Sequence, residues 1–224
     1  MERYKILSSF HLKLIAVSTM LIDHVGAVLL QREIVLRHIG RISFPIFCFL
    51  LVEGYLYSKN VKKYLLRLGI FAVISEIPFD LAFRDQMFYW ESQNVFLTLF
   101  IGLLALYIFD LCRNKGDFVF LFLGYASVAL CAFAAEYLGT DYGFFGVMSI
   151  FAFYLFRQEA VLRLVSIALI NGLMASIQLY AIGAFVPITL YNGKKGYNSD
   201  ILKLAFYAFY PVHLMILFYI KTIS

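Results

Sequence analysis

The sequence predicts an all-α fold, a polytopic bundle of about nine transmembrane helices in which several spans are kinked at proline. Of 224 residues, 62% are hydrophobic and 15% are charged, whereas soluble domains average about 45–50% apolar and about 25% charged residues. Apolar runs recur along the whole chain, and the basic residues cluster between them. The net charge of +5 therefore reflects orientation in a lipid bilayer, and no nucleic-acid partner is expected.

The spans follow from the apolar runs, because a helix needs about 20 apolar residues, with a range of about 17–25, to cross a bilayer. The first run has no small-x-small cleavage site, so it is interpreted as a retained helix. The sixth and eighth runs are shorter than this range, and the count of nine depends on them. In chain order, the predicted spans are 12–30, 38–58, 64–83, 94–112, 118–136, 142–156, 162–179, 181–191 and 201–220.

The distribution of basic residues predicts the orientation. With a cytoplasmic N-terminus, 14 of the 19 lysines and arginines lie on inner segments, as the positive-inside rule requires. Fusing 162–191 into one kinked span would change the split to 12 against 7, so nine spans are preferred. The longest polar connections, 84–93 and 192–200, are too short to fold alone. We therefore expect residues 1–224 to form a single transmembrane domain.

Two histidines fall deep inside predicted spans. His24 is twelve residues past Leu12, and His213 is twelve residues past Ile201, so each lies about 18 Å along its helix. A charged side chain at mid-bilayer costs at least about 2.5–3.5 kcal/mol, so a buried ionisable residue indicates a function. The competing interpretation is a hydrogen bond that joins helices without any chemistry. Matched depth on separate spans favours a shared catalytic role for the two histidines.

His24 needs an orienting carboxylate from another span. Its neighbour Asp23 points about 100° away on a helix and cannot supply it. Glu76 and Asp80 lie four residues apart on one face of the third span, and they complete the predicted catalytic set. Asp23 is expected to pair with Arg41, near the outer start of the second span.

Prolines lie close to these ionisable groups in three spans. Pro45 lies in "GRISFPIFCFLLVEGY", Pro78 separates two carboxylates in "SEIPFD", and Pro211 comes two residues before His213. A proline inside a helix frees a carbonyl group and kinks the helix. Irregular backbone at membrane depth is tolerated where it lines a cavity. The alternative is that each kink serves packing alone, but together the prolines predict one polar cavity that opens outward.

Familiar soluble active sites are missing from the sequence. It contains no Ser-x-x-Lys, GxSxG, HExxH or Walker pattern, which removes support for soluble-type hydrolases, zinc proteases and NTPases. The three cysteines form no CxxC pair. Two histidines without a cysteine partner are a weak metal site, so no metal is predicted.

Five stretches resemble the TraX family, integral membrane proteins named for the N-terminal acetylation of conjugative pilin. They are "LKLIAVSTMLIDHVGAVL", "IGRISFPIFCFLLVEGY", "KYLLRLGIFAVISEIPFDLAF", "TDYGFFGVMSIFAFY" and "FYPVHLMIL", in family order from residue 12 to about residue 217. The resemblance extends to a wider group, the acyltransferase-3 family, whose members pass acyl groups from cytoplasmic acyl-CoA to extracytoplasmic acceptors. Those proteins carry an essential histidine on the first span, and the resemblance gives this role to His24.

The resemblance implies an acyltransferase-like domain over residues 1–224, in the bacterial inner membrane, with acetyl-CoA as donor. The acceptor would be a peptide, such as a pilin N-terminus, or a glycan hydroxyl. The loop "KNVKKYLLR" offers four cations to the phosphates of acetyl-CoA, although the positive-inside rule explains them equally well. The residues expected to bind the substrate or the oxyanion are Arg41, Tyr210, Asp23 and Asp141, and those expected to bind acetyl-CoA are Lys59, Lys62, Lys63 and Arg67.

A proton-coupled transporter or permease is the alternative function, because intramembrane histidine, glutamate and arginine on kinked helices also suit a proton relay. No internal repeat relates the two halves of the sequence, which counts against a transporter. For an acetyltransferase, the difficulty is that His24 lies about 18 Å from the cytoplasmic face, where acetyl-CoA binds. The thioester must thread inward on the pantetheine arm, or an acetyl-enzyme must form.

Overall fold

The computed structural model describes residues 4–223 and confirms the all-α fold, since these residues form helices and isolated bridges but no strand. Arg3, one of the counted basic residues, lies outside the described part. The helices are α1 (Ser9–Val28), α2 (Ile34–Gly40), α3 (Ser43–Leu56), α4 (Val61–Arg84), α5 (Val95–Arg113), α6 (Phe118–Tyr137), α7 (Gly143–Leu155), α8 (Ala160–Met174), α9 (Phe185–Thr189) and α10 (Asp200–Ile223), with a 3₁₀ segment (Ser176–Ala184) between α8 and α9.

Five helical stretches in the described part of the chain are long and apolar enough to cross a membrane. They are α1, the combined α2 and α3, α5, α6 and α10. α4 has 24 residues but carries basic residues in its first half and carboxylates in its second. The protein is therefore a multi-pass membrane protein, and the count of nine crossings stays a prediction.

The loop after α9 lies beside the start of α1. The backbone N–H of Leu7 donates to the carbonyl of Leu190 at 2.9 Å, and the N–H of Asn192 donates back to Leu7 at 2.8 Å. The N–H of Ser9 donates to Lys194 at 2.9 Å. The lysines of this loop are thus on the N-terminal side of the bundle, which is where the nine-span prediction places them.

The boundary between the seventh and eighth predicted spans is wrong. α8 ends at Met174, because Ala175 has extended backbone with φ −169° and ψ 152°, and the 3₁₀ segment starts at the next residue. A 3₁₀ helix rises about 2.0 Å per residue instead of about 1.5 Å. The stretch 176–189 therefore covers about 25 Å. The eighth predicted span is too short because residues 176–179 are assigned to the seventh predicted span.

Of the three prolines predicted to kink their helices, Pro45 lies next to a break between two helices. In the second span the break falls between α2 and α3, and Pro45 lies in the first turn of α3, where its missing N–H would have no partner within the helix. Pro78 and Pro211 lie inside the continuous helices α4 and α10. The kink predicted at Pro45 is therefore replaced by a break just before it, next to Arg41.

The path of the chain predicts the side from which each loop can be labelled. In a variant without the three native cysteines, Tyr197→Cys should react with an impermeant thiol reagent from the same side as Lys115→Cys. Both should react from the side opposite to Gln86→Cys, because α4 and α5 meet at the other end of the bundle. These three residues are exposed. Labelling of position 197 from the Gln86 side would contradict this path.

Candidate functional site

His24 and His213 meet in the middle of the bundle. The Nδ1 atom of His24 lies 2.7 Å from the Nε2 atom of His213, and the ring planes are inclined by 11°. His213 is 5% exposed. The prediction of matched depth on separate spans is confirmed, because α1 and α10 bring the two rings into direct contact.

A backbone carbonyl fixes the protons of this pair. The Nδ1 atom of His213 lies 2.7 Å from the carbonyl oxygen of Phe209, which can only accept a hydrogen bond, so this nitrogen carries the proton. In the neutral pair the Nε2 atom of His213 then accepts the bond from Nδ1–H of His24. The Nε2 atom of His24 keeps its lone pair and makes no hydrogen bond within residues 4–223. That nitrogen is a base held in a fixed tautomer.

His24 lines a small cavity together with polar residues from α3, α10 and the loop before α7. Its volume is about 30 Å³, far below the ~300–1,000 Å³ typical of ligand pockets. The cavity therefore suits a small reacting group and not a whole acyl-CoA. Its lining residues are Met20, Asp23, His24, Gly40, Ser43, Phe44, Phe47, Val95, Asp141, Tyr142 and Tyr210.

Asp23 is held by two arginines. The Nη2 atom of Arg41 donates to both carboxylate oxygens at 2.5 Å, and Nη1 of Arg37 donates to Oδ2 at 2.8 Å. Asp23 and Arg41 are 6% and 8% exposed. Gly40 permits this approach, because a Cβ atom there would lie 2.1 Å from the Cβ of Asp23.

The ion pair between Asp23 and Arg41 was predicted, whereas the contribution of Arg37 was missed. A signal for Arg37 existed, since it lies four residues before Arg41 and thus on the same helical face. Arg41 itself is not among the residues that line the cavity. Of the two predicted oxyanion donors, Tyr210 is the one that lines it, with its ring centroid 5.9 Å from that of His24.

Asp141 and Tyr142 close the cavity from the loop before α7. Asp141 was predicted, but nothing in the sequence distinguishes Tyr142 from the other tyrosines. The Tyr142 ring stacks on Phe44 with 3.5 Å between centroids. Burial of the carboxyl raises the pKa of Asp141 to about 6, against the opposing charge of Arg41, although part of the residue remains exposed at the loop surface.

The prediction that Glu76 or Asp80 orients His24 is wrong. Glu76 accepts a short hydrogen bond from the side-chain amide of Asn94, and Asp80 accepts from the backbone N–H of Tyr89 at 2.8 Å. Both carboxylates line a different cavity, so they do not share one polar cavity with His24 as expected. The orienting partner of His24 is His213, because α10 and not α4 presents a side chain to its Nδ1 atom.

The four basic residues predicted to bind acetyl-CoA lie at the N-terminal side of the bundle, around the start of α4. All four are exposed, and the guanidinium of Arg67 lies over the Tyr64 ring at 5.5 Å. None of them forms a salt bridge within the described residues. The charges of Lys59, Lys62 and Lys63 are therefore open to an anion, whereas Arg67 also hydrogen-bonds to Tyr207.

Comparison with known proteins gives one family and two relatives. A family model described as "TraX protein" matches residues 8–221. The probable fimbrial assembly protein FimC, serogroup H1, of Dichelobacter nodosus is 32% identical over 238 residues, which cover 94% of each chain. An uncharacterized protein of Rickettsia prowazekii (strain Madrid E) is 32% identical over 119 residues, covering 53% of this chain and 43% of that protein. No solved structure gives a significant match.

Removing the charge of Asp23 should destabilise the protein without a direct effect on the histidine pair. Asp23→Asn leaves two arginines partly uncompensated at a buried position, which costs about 3–5 kcal/mol. We expect a lower apparent unfolding temperature in detergent and reduced accumulation in the membrane.

The matched control for this change is Asp200→Asn. Asp200 pairs with Lys203 at 2.7 Å, but its side chain is 97% exposed, and exposed pairs contribute little. Equal loss of stability in the two variants would contradict the structural role of Asp23.

The stability of the protein should respond to the titration of Asp141. Its folded-state pKa of about 6 exceeds the ordinary value of 3.8. The protonated form is thus favoured in the fold, and its stabilising contribution is lost as the pH rises through about 6. Asp141→Asn mimics the protonated form, so its apparent unfolding temperature should exceed that of the parent by a few degrees at about pH 8. The two should converge below about pH 4.

The effect is expected to be small because solvent reaches Asp141. Glu159→Gln, a change at an exposed loop carboxylate, serves as the control. A pH-independent offset for Asp141→Asn would contradict the raised pKa.

Proposed function

The chain belongs to the TraX family, and we propose that it is a membrane-embedded acetyltransferase. It moves an acetyl group from cytoplasmic acetyl-CoA to an extracytoplasmic acceptor. The D. nodosus relative is described as a probable fimbrial assembly protein, which links the family to pilus or fimbrial assembly and favours a peptide acceptor such as a pilin N-terminus. A glycan hydroxyl is the other acceptor class.

The histidine pair is the observation that carries this proposal. An amine or hydroxyl must lose a proton as it attacks a thioester, and a positioned histidine is the commonest general base. The hydrogen-bond relay from Phe209 through His213 to His24 leaves one lone pair, on Nε2 of His24, and His24 is one of the residues that line the small cavity. His213 therefore acts as the positioning residue, in the place that the sequence had suggested for a carboxylate.

The reaction balances with these groups alone. The nitrogen or oxygen of the acceptor bonds to the carbonyl carbon of the thioester, and its proton passes to Nε2 of His24. The tetrahedral intermediate then expels the CoA thiolate, which takes that proton from His24. The products are the acetylated acceptor and free CoA, and His24 returns to its starting tautomer.

The developing oxyanion needs a donor at the cavity. The hydroxyl groups of Tyr210 and Tyr142 belong to lining residues, and Tyr210 is 3% exposed. Arg41 contributes positive charge near the cavity without lining it, because its guanidinium is bound to the lining residue Asp23. Asp23 and Asp141 then set the charge of the cavity wall.

Delivery of the donor starts at the opposite end of α1. His24 lies fifteen residues after Ser9 in the sequence, which is about 22 Å along the helix. The exposed cations Lys59, Lys62 and Lys63 bind the phosphates at the N-terminal side. The acetyl group then reaches His24 at the end of the pantetheine arm or through an acetyl-enzyme.

We propose the inner membrane as the location, with a cytoplasmic N-terminus. The lysine-rich loop beside the start of α1 supports this orientation, because basic loops stay on the cytoplasmic side. The histidine cavity then lies towards the outer face, where an exported acceptor can reach it.

Loss of His24 should abolish acetyl transfer while the protein still accumulates in the membrane. His24→Ala removes the base, and a general base contributes about 10²–10⁴-fold to the rate. His213→Ala should lower kcat more than it raises KM and should alter the pH profile, because only the orientation of His24 is lost. Release of free CoA from acetyl-CoA by the purified protein in detergent measures both effects.

His38→Ala is the matched control, since His38 stacks on Tyr180 with 4.0 Å between centroids and lies outside the cavity. Mass spectrometry of surface and secreted material from cells with and without the protein should then show a difference of one acetyl group on the acceptor. Unchanged acetylation by His24→Ala would reject the proposal. An activity that requires sealed vesicles would favour the transporter instead.

A further inference from the structure

A second and larger cavity lies between α4 and the loop before α5. Its volume is about 300 Å³, which is large enough for an amino-acid side chain or a small ligand. It shares no lining residue with the histidine cavity. The proposed acetyl transfer does not account for it.

Two carboxylate residues of α4, Glu76 and Asp80, are among the residues that line this cavity. Asp80 is 1% exposed, and its Oδ1 atom accepts no hydrogen bond within the described residues. The Oε1 atom of Glu76 is likewise buried and without a partner there. A buried carboxylate oxygen is costly unless it is paired with a donor or a cation. Glu76 and Asp80 are four residues apart and so present two such oxygens on one helical face.

Aromatic residues of the loop before α5 also contribute to the lining. Phe88 and Trp90 stack with 6.5 Å between ring centroids and an interplanar angle of 14°, and Tyr89 lies between them in the loop. All three line the cavity. Aromatic faces attract organic cations, so these rings and the carboxylates favour the same kind of ligand.

The other charged residues around the cavity do not neutralise the two carboxylates, so the preference for a cation is kept. Arg84 lies over the Tyr89 ring at 5.0 Å and forms no salt bridge with Asp80 in residues 4–223. Asp85 is already paired with Lys221 at 2.7 Å, and Glu91 accepts a hydrogen bond from the Tyr89 hydroxyl at 2.8 Å. Four carboxylates and one arginine thus occur between positions 76 and 93 of a chain whose net charge is +5.

We propose that this cavity binds an alkylammonium group, of the kind that a lysine side chain carries, between the two carboxylates and the aromatic residues of the loop. The NH₃⁺ would pair with the carboxylates of Glu76 and Asp80 once these side chains rotate to turn Oε1 and Oδ1, which are buried in the unbound structure, towards the cavity. The aliphatic stem would pack on Phe88 and Trp90. We assign this ammonium group to the acetyl acceptor, which would keep its positive charge while another of its groups is acetylated. This assignment rests on the proposed function. The binding itself does not.

A neighbouring asparagine places this cavity next to the histidine cavity. Asn94 is 0% exposed and donates to the carboxylate of Glu76. The next residue, Val95, lines the cavity of His24. An acceptor could thus have its cationic group in the larger cavity and its reacting group in the smaller one.

Trp90 makes the binding directly measurable, because it is the single tryptophan of the chain. We would titrate the purified full-length protein in detergent at about pH 8 with n-butylammonium and follow tryptophan emission. A saturable change is expected with n-butylammonium and not with n-butanol, which has the same stem without the charge. An equal response to n-butanol would overturn the proposal.

Matched amide variants test the two carboxylates. Glu76→Gln and Asp80→Asn can still accept their existing bonds from Asn94 and Tyr89, so the loop should keep its place. Each should weaken n-butylammonium binding about tenfold or more, whereas the control Asp85→Asn, outside the lining, should not. Unchanged affinity in both amide variants would overturn the proposal.

The link to the acceptor has its own measurement. In an acetyl-transfer assay, n-butylammonium should compete with a lysine-containing peptide acceptor and raise its KM without lowering kcat. A fall in kcat alone would remove the assignment of the cation to the acceptor. The fluorescence titration involves no acetyl transfer, so a failure of the proposed function and a failure of the cation site would be distinguishable.

Discussion

The structure depends on the requirement that a charge at membrane depth be neutralised within the protein. Asp23 meets it through Arg41 and Arg37, which lie on either side of Gly40 at the break between α2 and α3. This clamp fixes the rotation of α1 against its neighbours. His24 points about 100° away from Asp23 around the helix and is thereby turned towards α10. Asp23 and His24 are each costly to bury in hydrocarbon, and each has its own partner: Asp23 binds the two arginines, and His24 binds His213.

The choice of a second histidine as the orienting group follows from the same requirement. A carboxylate beside His24 would add another buried charge, which would need a further cation. A neutral imidazole whose far nitrogen donates to the carbonyl of Phe209 orients His24 without any net charge. The relay is therefore better suited to the bilayer than the carboxylate–histidine arrangement of soluble enzymes.

Features that depend only on position along the chain could be predicted from the sequence. Apolar runs gave the helices, and the fixed rise per residue placed His24 and His213 at one depth. The partners of Glu76 and Asp80 were missed, because depth says nothing about the direction in which each helix faces its neighbours. The wrong boundary at Ala175 has a similar cause, since a 3₁₀ segment covers membrane thickness with fewer residues and hydropathy does not distinguish it from an α-helix.

Under the proposed function, the two cavities would divide recognition from chemistry by size. The cavity at His24, about 30 Å³, admits only the reacting end of a substrate, whereas the cavity at Glu76, about 300 Å³, admits a side chain. Asn94 lies between them as the first cap of α5, donating to the carbonyl of Ala72 at 2.7 Å and accepting from the N–H of Phe96 at 3.0 Å. These buried bonds hold the start of α5 against α4 and so connect the two cavities. A substrate that fills both cavities would therefore be selected by the distance between its cationic group and its nucleophile, and not by either group alone.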